Sequence, residues 1–168
     1  MSAETFILRQ GMAGTKRFQI VVAEDNHADI ALVREALKTH GVDSELVVKS
    51  DGAGAIRFFR GLDLDSHSQA PDLILLDMHL PKYDGEEILS ALRSTERIAQ
   101  TPVVVMTSSQ APEFEKVAQK HAALHYFKKP TTWEQFSELG IIVRHLLESG
   151  KPYQGRSSST GSTAGTVA

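Results

Sequence analysis

Asp72-Leu73-Ile74-Leu75-Leu76-Asp77 is the stretch on which the reading of this chain turns. Four consecutive apolar residues between two carboxylates read as a short strand buried on both faces, the pattern of a parallel sheet. The second carboxylate, Asp77, leaves the strand at its C-terminal end, the edge where open α/β sheets place their chemistry. A lone aspartate in that place can equally cap a strand or begin a turn. The neighbouring segments decide between the two.

Upstream, Phe18 to Ala23 makes a first strand that runs directly into Glu24-Asp25-Asn26, so acids again stand at a strand's exit. Asn26 with Asp29 has the form of a helix N-cap and its acidic partner, and Ile30, Val33 and Leu37 give that helix a buried stripe until Gly41 stops it. A second strand, Ser44 to Lys49, leads through Ser50-Asp51-Gly52 into a helix carrying Ile56, Phe58 and Phe59. Asp63 to Ala70 is polar and reads as a surface loop.

Downstream, Asp84-Gly85 opens a helix with Ile88, Leu89 and Leu92 facing inward. A fourth strand, Pro102 to Thr107, ends in the hydroxyl run Thr107-Ser108-Ser109, and Pro112 to Ala123 puts Phe114, Val117 and His121 on one helical face. The fifth strand, Leu124 to Lys128, is closed by Lys129-Pro130. Thr132 with Gln135 has the form of a capping box, and the last helix continues through Phe136, Leu139, Ile142, Val143, Leu146 and Leu147.

Five strands alternating with five helices predict an α/β fold, a five-stranded parallel sheet in a doubly wound, flavodoxin-like (βα)5 arrangement; a barrel needs eight such units. The 168 residues suit one domain with tails: an N-terminal extension over 1–16, the domain over 17–149, and a disordered tail over 150–168, rich in Ser, Thr and Gly and too short for an effector domain. Composition excludes several classes of function. A net charge of -3 with mixed signs argues against a nucleic-acid face, and the absence of cysteine excludes disulfides, thiolate metal sites and cysteine nucleophiles. No apolar run is long enough for a membrane span, and Thr5-Phe6-Ile7-Leu8 is too short for a secretory signal, so a cytoplasmic protein is expected.

In a parallel sheet the strands' C-terminal ends share one edge, which gathers Glu24, Asp25, Asp77, Thr107 and Lys129. Crowded carboxylates repel, and oxygen ligands alone suit a hard cation, Mg²⁺. Lys129 and the Thr107 hydroxyl suit phosphoryl oxygens, so an aspartate nucleophile here can accept a phosphoryl group.

Glu24-Asp25, Leu76-Asp77-Met78-His79-Leu80-Pro81, Asp84-Gly85, Met106-Thr107-Ser108 and Tyr126-Phe127-Lys128-Lys129-Pro130, in this order, resemble the receiver domain of two-component response regulators. The resemblance implies that Asp77 takes a phosphoryl group from a sensor histidine kinase and that Glu24, Asp25, Asp77 and the His79 backbone carbonyl hold Mg²⁺. It further implies that Thr107 is the switch hydroxyl, Tyr126 the switch aromatic and Lys129 the phosphate-binding lysine. His79 stands where the family often has Asn, a departure that bears on dephosphorylation rate. The Asp63 to Ala70 insertion and the Glu24-to-Asp29 opening are similar to stand-alone receivers that partner bacterial phytochromes.

Two other functions compete with this one. An aspartate-nucleophile phosphohydrolase needs a second Asp two residues after the nucleophile, where this chain has His79; a phosphorylation-independent interaction module leaves the reactive set without purpose. No glycine-rich loop follows the first or fourth strand, which excludes nucleotide binding of that type. His121 and His125 read as packing or surface residues. Surplus apolar residues Trp133 and Ile141 predict a homodimer through the fourth helix, fifth strand and fifth helix.

Overall fold

Side chains alternate across each strand, and that alternation sorts the core of the computed structural model, which describes residues 16–154, into two layers. The expected extension and tail therefore lie outside the described residues, apart from residue 16 and residues 150–154. The strands are β1 (Phe18–Ala23), β2 (Ser44–Lys49), β3 (Leu73–Asp77), β4 (Val103–Thr107) and β5 (His125–Lys128). All neighbours pair in parallel, in the order β2-β1-β3-β4-β5. The order reverses between β1 and β3, and that is where the doubly wound topology opens a crevice.

The helices are α1 (His27–Thr39), α2 (Gly52–Leu64), α3 (Gly85–Arg93), α4 (Pro112–Lys120) and α5 (Trp133–Ser149), with a short 3₁₀ turn at Glu96–Ile98. On one face Ile20, Val22, Leu75, Val104, Met106 and Phe127 pack against Val33 and Leu37 of α1 and Phe136, Ile142 and Val143 of α5. On the other, Val21, Ala23, Ile74, Leu76, Val103 and Val105 meet Phe59 of α2, Leu89 and Leu92 of α3 and Ala118 of α4. Every residue of β3 and β4 is buried, as their unbroken apolar runs require.

Gly140 permits the close approach of α5 to α1, because a Cβ there would collide with the Ala36 carbonyl and the His40 ring. At the far edge of the sheet, Arg93 donates from Nε to the His121 carbonyl, from Nη1 to those of Ala99 and Thr101, and from Nη2 to that of Ala122. Arg97 likewise reaches the carbonyls of Leu62, Asp65 and Ser68.

Several local expectations are corrected. Helix α2 continues through Asp63 and Leu64, because the Asp63 carboxylate accepts from the Glu96 and Arg97 backbone amides and binds the helix end to the 3₁₀ turn. Thr132 is the N-cap of α5 but makes no side-chain cap bond; the capping box forms instead at Asp84 and Glu87, at the start of α3. Helix α4 ends at Lys120, and His121 is its C-cap, followed by Ala122 at φ 53°. Asn26 caps α1 through the Ala28 and Asp29 amides, but its own N–H goes to Glu24, so Asp29 does not complete a box.

Candidate functional site

Strand register brings the expected residues to one edge. Ala23 pairs with Leu76 and Asp77 with Met106, so Glu24 and Asp77 leave adjacent strands side by side. Lys129 is fixed by its own backbone: its N–H donates to the Thr107 carbonyl at 2.8 Å, and Pro130 keeps it extended. Continuing the alternation places Glu24, Asp77 and Lys129 on the side of α1 and α5, and Thr107 and Tyr126 on the side of α3 and α4. The edge therefore has two halves.

The first half is an ion cluster. Lys129 Nζ donates to Glu24 Oε2 at 2.6 Å, to Asp77 Oδ2 at 2.5 Å and to Asp29 Oδ2 at 2.8 Å. Glu24 is wholly buried and Asp77 nearly so. Burial pushes the Glu24 carboxyl up to about 6, against the hydrogen bonds from Lys129 and Asn26 that favour its charged form. Burial also pulls the Lys129 ammonium down, but the hydrogen bonds to Asp29, Asp77 and Glu24 outweigh it and hold the lysine above its ordinary range.

Carboxylate oxygens of Glu24, Asp25 and Asp77 lie within 4.8 Å of one another, with Asp25 exposed at the mouth. An all-oxygen, multiply charged donor set of this size fits a hard divalent cation. Asp77 Oδ1 also accepts the His79 backbone N–H at 2.8 Å, which holds the carboxylate at the strand's exit.

The second half carries the hydroxyl. Thr107 is buried; its Oγ1 accepts the Ser109 amide at 3.0 Å and lies 3.4 Å from His79 Nδ1. The exposed His79 ring meets Phe114 of α4 edge-on at 4.8 Å. Tyr126 stands apart, half-buried against the same core layer, where burial and then Glu115 push its phenol up. The structure thus brings Glu24, Asp25, Asp77 and Lys129 together, with Thr107 adjoining through the backbone.

Asp29 is an addition that the sequence pattern does not announce. One turn beyond Asp25 on α1, its position suits a cap, and only the fold reveals its bond to a lysine 100 residues away. His121 and His125 do not share a metal site: His121 Nε2 lies 3.6 Å from Glu86, and His125 is partly buried with its ring edge-on to Tyr153.

Known proteins resemble this chain in sequence and in fold. The profile of the family described as "Response regulator receiver domain" matches residues 20–139. Response regulator Rcp1 of Synechocystis sp. is 42% identical over 90 residues, 54% of this chain and 61% of that protein, so the match spans less than two thirds of the relative. A probable methanogenesis regulatory protein, FilR2 of Methanothrix harundinacea, is 33% identical over 117 residues, 70% of this chain and 75% of that protein. Among solved structures, the phosphorylated cyanobacterial phytochrome response regulator RcpA superposes with a TM-score of 0.71 at 31% identity, covering 80% of this chain and 96% of its own. The Mn²⁺-bound form of Rcp1 gives 0.69 at 33% identity, covering 79% and 96%. With a parallel sheet whose reactive side chains all leave by one edge, and a profile match that runs from within β1 through β5, the chain belongs to the response regulator receiver domain family.

Proposed function

We propose that Asp77 is the phosphoacceptor of this response regulator. The observation that carries the reading is the ion cluster itself: a nearly buried aspartate held by a lysine, beside a carboxylate set that fits a divalent cation. An Asp77 oxygen forms a bond to the phosphorus of the kinase's phosphohistidine. The P–N bond breaks and its electron pair returns to the imidazole, leaving an acyl phosphate on the aspartate.

Glu24, Asp25 and Asp77, with the His79 carbonyl, are the ligands proposed for Mg²⁺, which when bound neutralises charge on the phosphoryl oxygens. Lys129 supplies the fixed positive charge on the other side. Thr107 is the hydroxyl that moves to meet the new oxygens, and Tyr126, in the same core layer, is the aromatic that follows it. His79 lies between Thr107 and Phe114 of α4, a direct path from the site to that helix.

Likeness to a regulator described as a phytochrome's supports a phytochrome kinase as the phosphoryl source. Trp133 and Ile141, both exposed on α5, support self-association through the face of α4, β5 and α5. Ile141→Glu is then expected to shift the sedimentation profile to monomer, and an unchanged profile removes α5 from the interface. No helix among the described residues is long and apolar enough to cross a membrane, and a cytoplasmic place of action is proposed.

The deciding experiment is intact mass after incubation with acetyl phosphate and Mg²⁺. Wild-type protein should gain one phosphoryl group, whereas Asp77→Asn and a chelated sample should gain none. Equal labelling of Asp77→Asn would refute the assignment. No labelling of any sample would favour an interaction module that works without phosphate.

A further inference from the structure

An ammonium group has three N–H donors, and all three of Lys129's are committed, to Glu24, Asp29 and Asp77. A phosphoryl group on Asp77 brings up to about two negative charges and three strong acceptor oxygens, so at least one donor must be redirected to it. The three partners are not equivalent in that exchange. Asp77 is itself transformed, and Glu24 belongs to the carboxylate set that fits the cation. Asp29 is in neither group: phosphorylation does not transform it, it stands outside the carboxylate set, and it stays bonded to the lysine.

The local structure frees Asp29 for this contact. At its position in α1 the side chain of a capping box reaches back to the N-cap amide, but here the Asn26 N–H donates to Glu24 Oε1 at 3.0 Å. The cap bonds of Asn26 run to the backbone amides of Ala28 and Asp29, not to the Asp29 side chain. The Asp29 carboxylate, 22% exposed, spends its hydrogen bond on Lys129 instead.

Building on the phosphoacceptor reading, we propose that Asp29 is a positioning residue that competes with the phosphoryl oxygens for Lys129 and thereby sets how firmly the phosphorylated form is held. It acts as a resident anion, occupying a lysine donor in the unphosphorylated protein and drawing that donor back once phosphate leaves.

Asp29→Asn tests this with two readouts that move in opposite directions. Removing the competitor should tighten the binding of beryllofluoride in saturating Mg²⁺ about tenfold, the scale of one charge-assisted hydrogen bond, and lengthen the acyl phosphate lifetime correspondingly. Removing a negative charge near the carboxylate set should weaken the binding of Mg²⁺ alone. A damaged fold weakens both, so calorimetric titration of each separates the cases. Asp29→Glu, which keeps the charge, should return both affinities toward wild type. Unchanged or weaker beryllofluoride binding by Asp29→Asn overturns the proposal. If wild-type protein binds no beryllofluoride and takes no phosphoryl group from acetyl phosphate, the phosphoacceptor reading falls and this one with it; if wild type responds and Asp29→Asn is no tighter, this inference alone falls.

Discussion

Helix α5 buries Phe136, Leu139, Gly140, Ile142, Val143 and Leu146, whereas α4, beside the same strand on the opposite face, buries Ala118 alone. The first packs against α1 closely enough that position 140 has no room for a side chain. The second rests on the sheet by the half-covered Phe114 and Val117, and its N-terminus has no side-chain cap. Local opening is easiest where few apolar contacts hold an element, so the two faces differ in their capacity to move. The α1 and α5 face keeps Glu24, Asp77 and Lys129 in place; the α4 face lies beside the hydroxyl and aromatic proposed to respond. A receiver of charge needs both a fixed reference and a part that yields.

The contrast is open to direct attack, and the largest effect is expected at Gly140. Leucine there gains up to about 1 kcal/mol of helix propensity, but its Cβ would meet the Ala36 carbonyl, a backbone atom with little freedom to retreat. A net destabilisation of about 3 kcal/mol is expected, read as a lower urea midpoint. A loss below about 1 kcal/mol would show the helix pair to be as yielding as α4.

Val117→Ala, on the half-covered face of α4, should cost about 1 kcal/mol or less. Native-state hydrogen exchange should find α4 amides opening well below the global unfolding energy and α5 amides opening with it. Equal protection in the two helices would erase the distinction.

The smallest effect concerns β5, the strand flanked by both helices. Burial pushes the His125 imidazole below its ordinary range. As pH falls below about 6.5 the unfolded chain takes a proton that the folded chain resists, so stability declines toward acid pH. His125→Gln should flatten that decline in urea titrations between pH 7 and 5, and an unchanged slope would place its source elsewhere.

Much of this arrangement is legible in the sequence because it rests on short periods. Runs such as Leu73 to Leu76 and Val103 to Met106 announce buried parallel strands, and the residue that ends each run, Asp77 or Thr107, stands at the chemical edge whatever the helices do. Thr132 misleads for want of geometry: residue types at capping-box spacing do not specify whether the cap hydroxyl turns toward the helix. The roles of Asp29, Gly140 and Arg93 are hidden for a different reason. Each acts on a segment distant in sequence, the carboxylate on Lys129, the glycine on α1 and the guanidinium on four carbonyls beyond its own helix, and no local pattern encodes such meetings.

Arg93 has a mechanical consequence. Two of the carbonyls it grips, His121 and Ala122, lie just past the C-terminus of α4, where Lys120 is also paired with Glu86 of α3 at 2.6 Å. The other end of α4 lies near His79 and Thr107 and has no such fastening among the described residues. A rod pinned at one end swings about the pin. A push delivered from the site acts at full arm's length, so the Thr107 movement proposed above would turn α4 with its greatest sweep beside Asp77 and its fulcrum at the floor of the sheet.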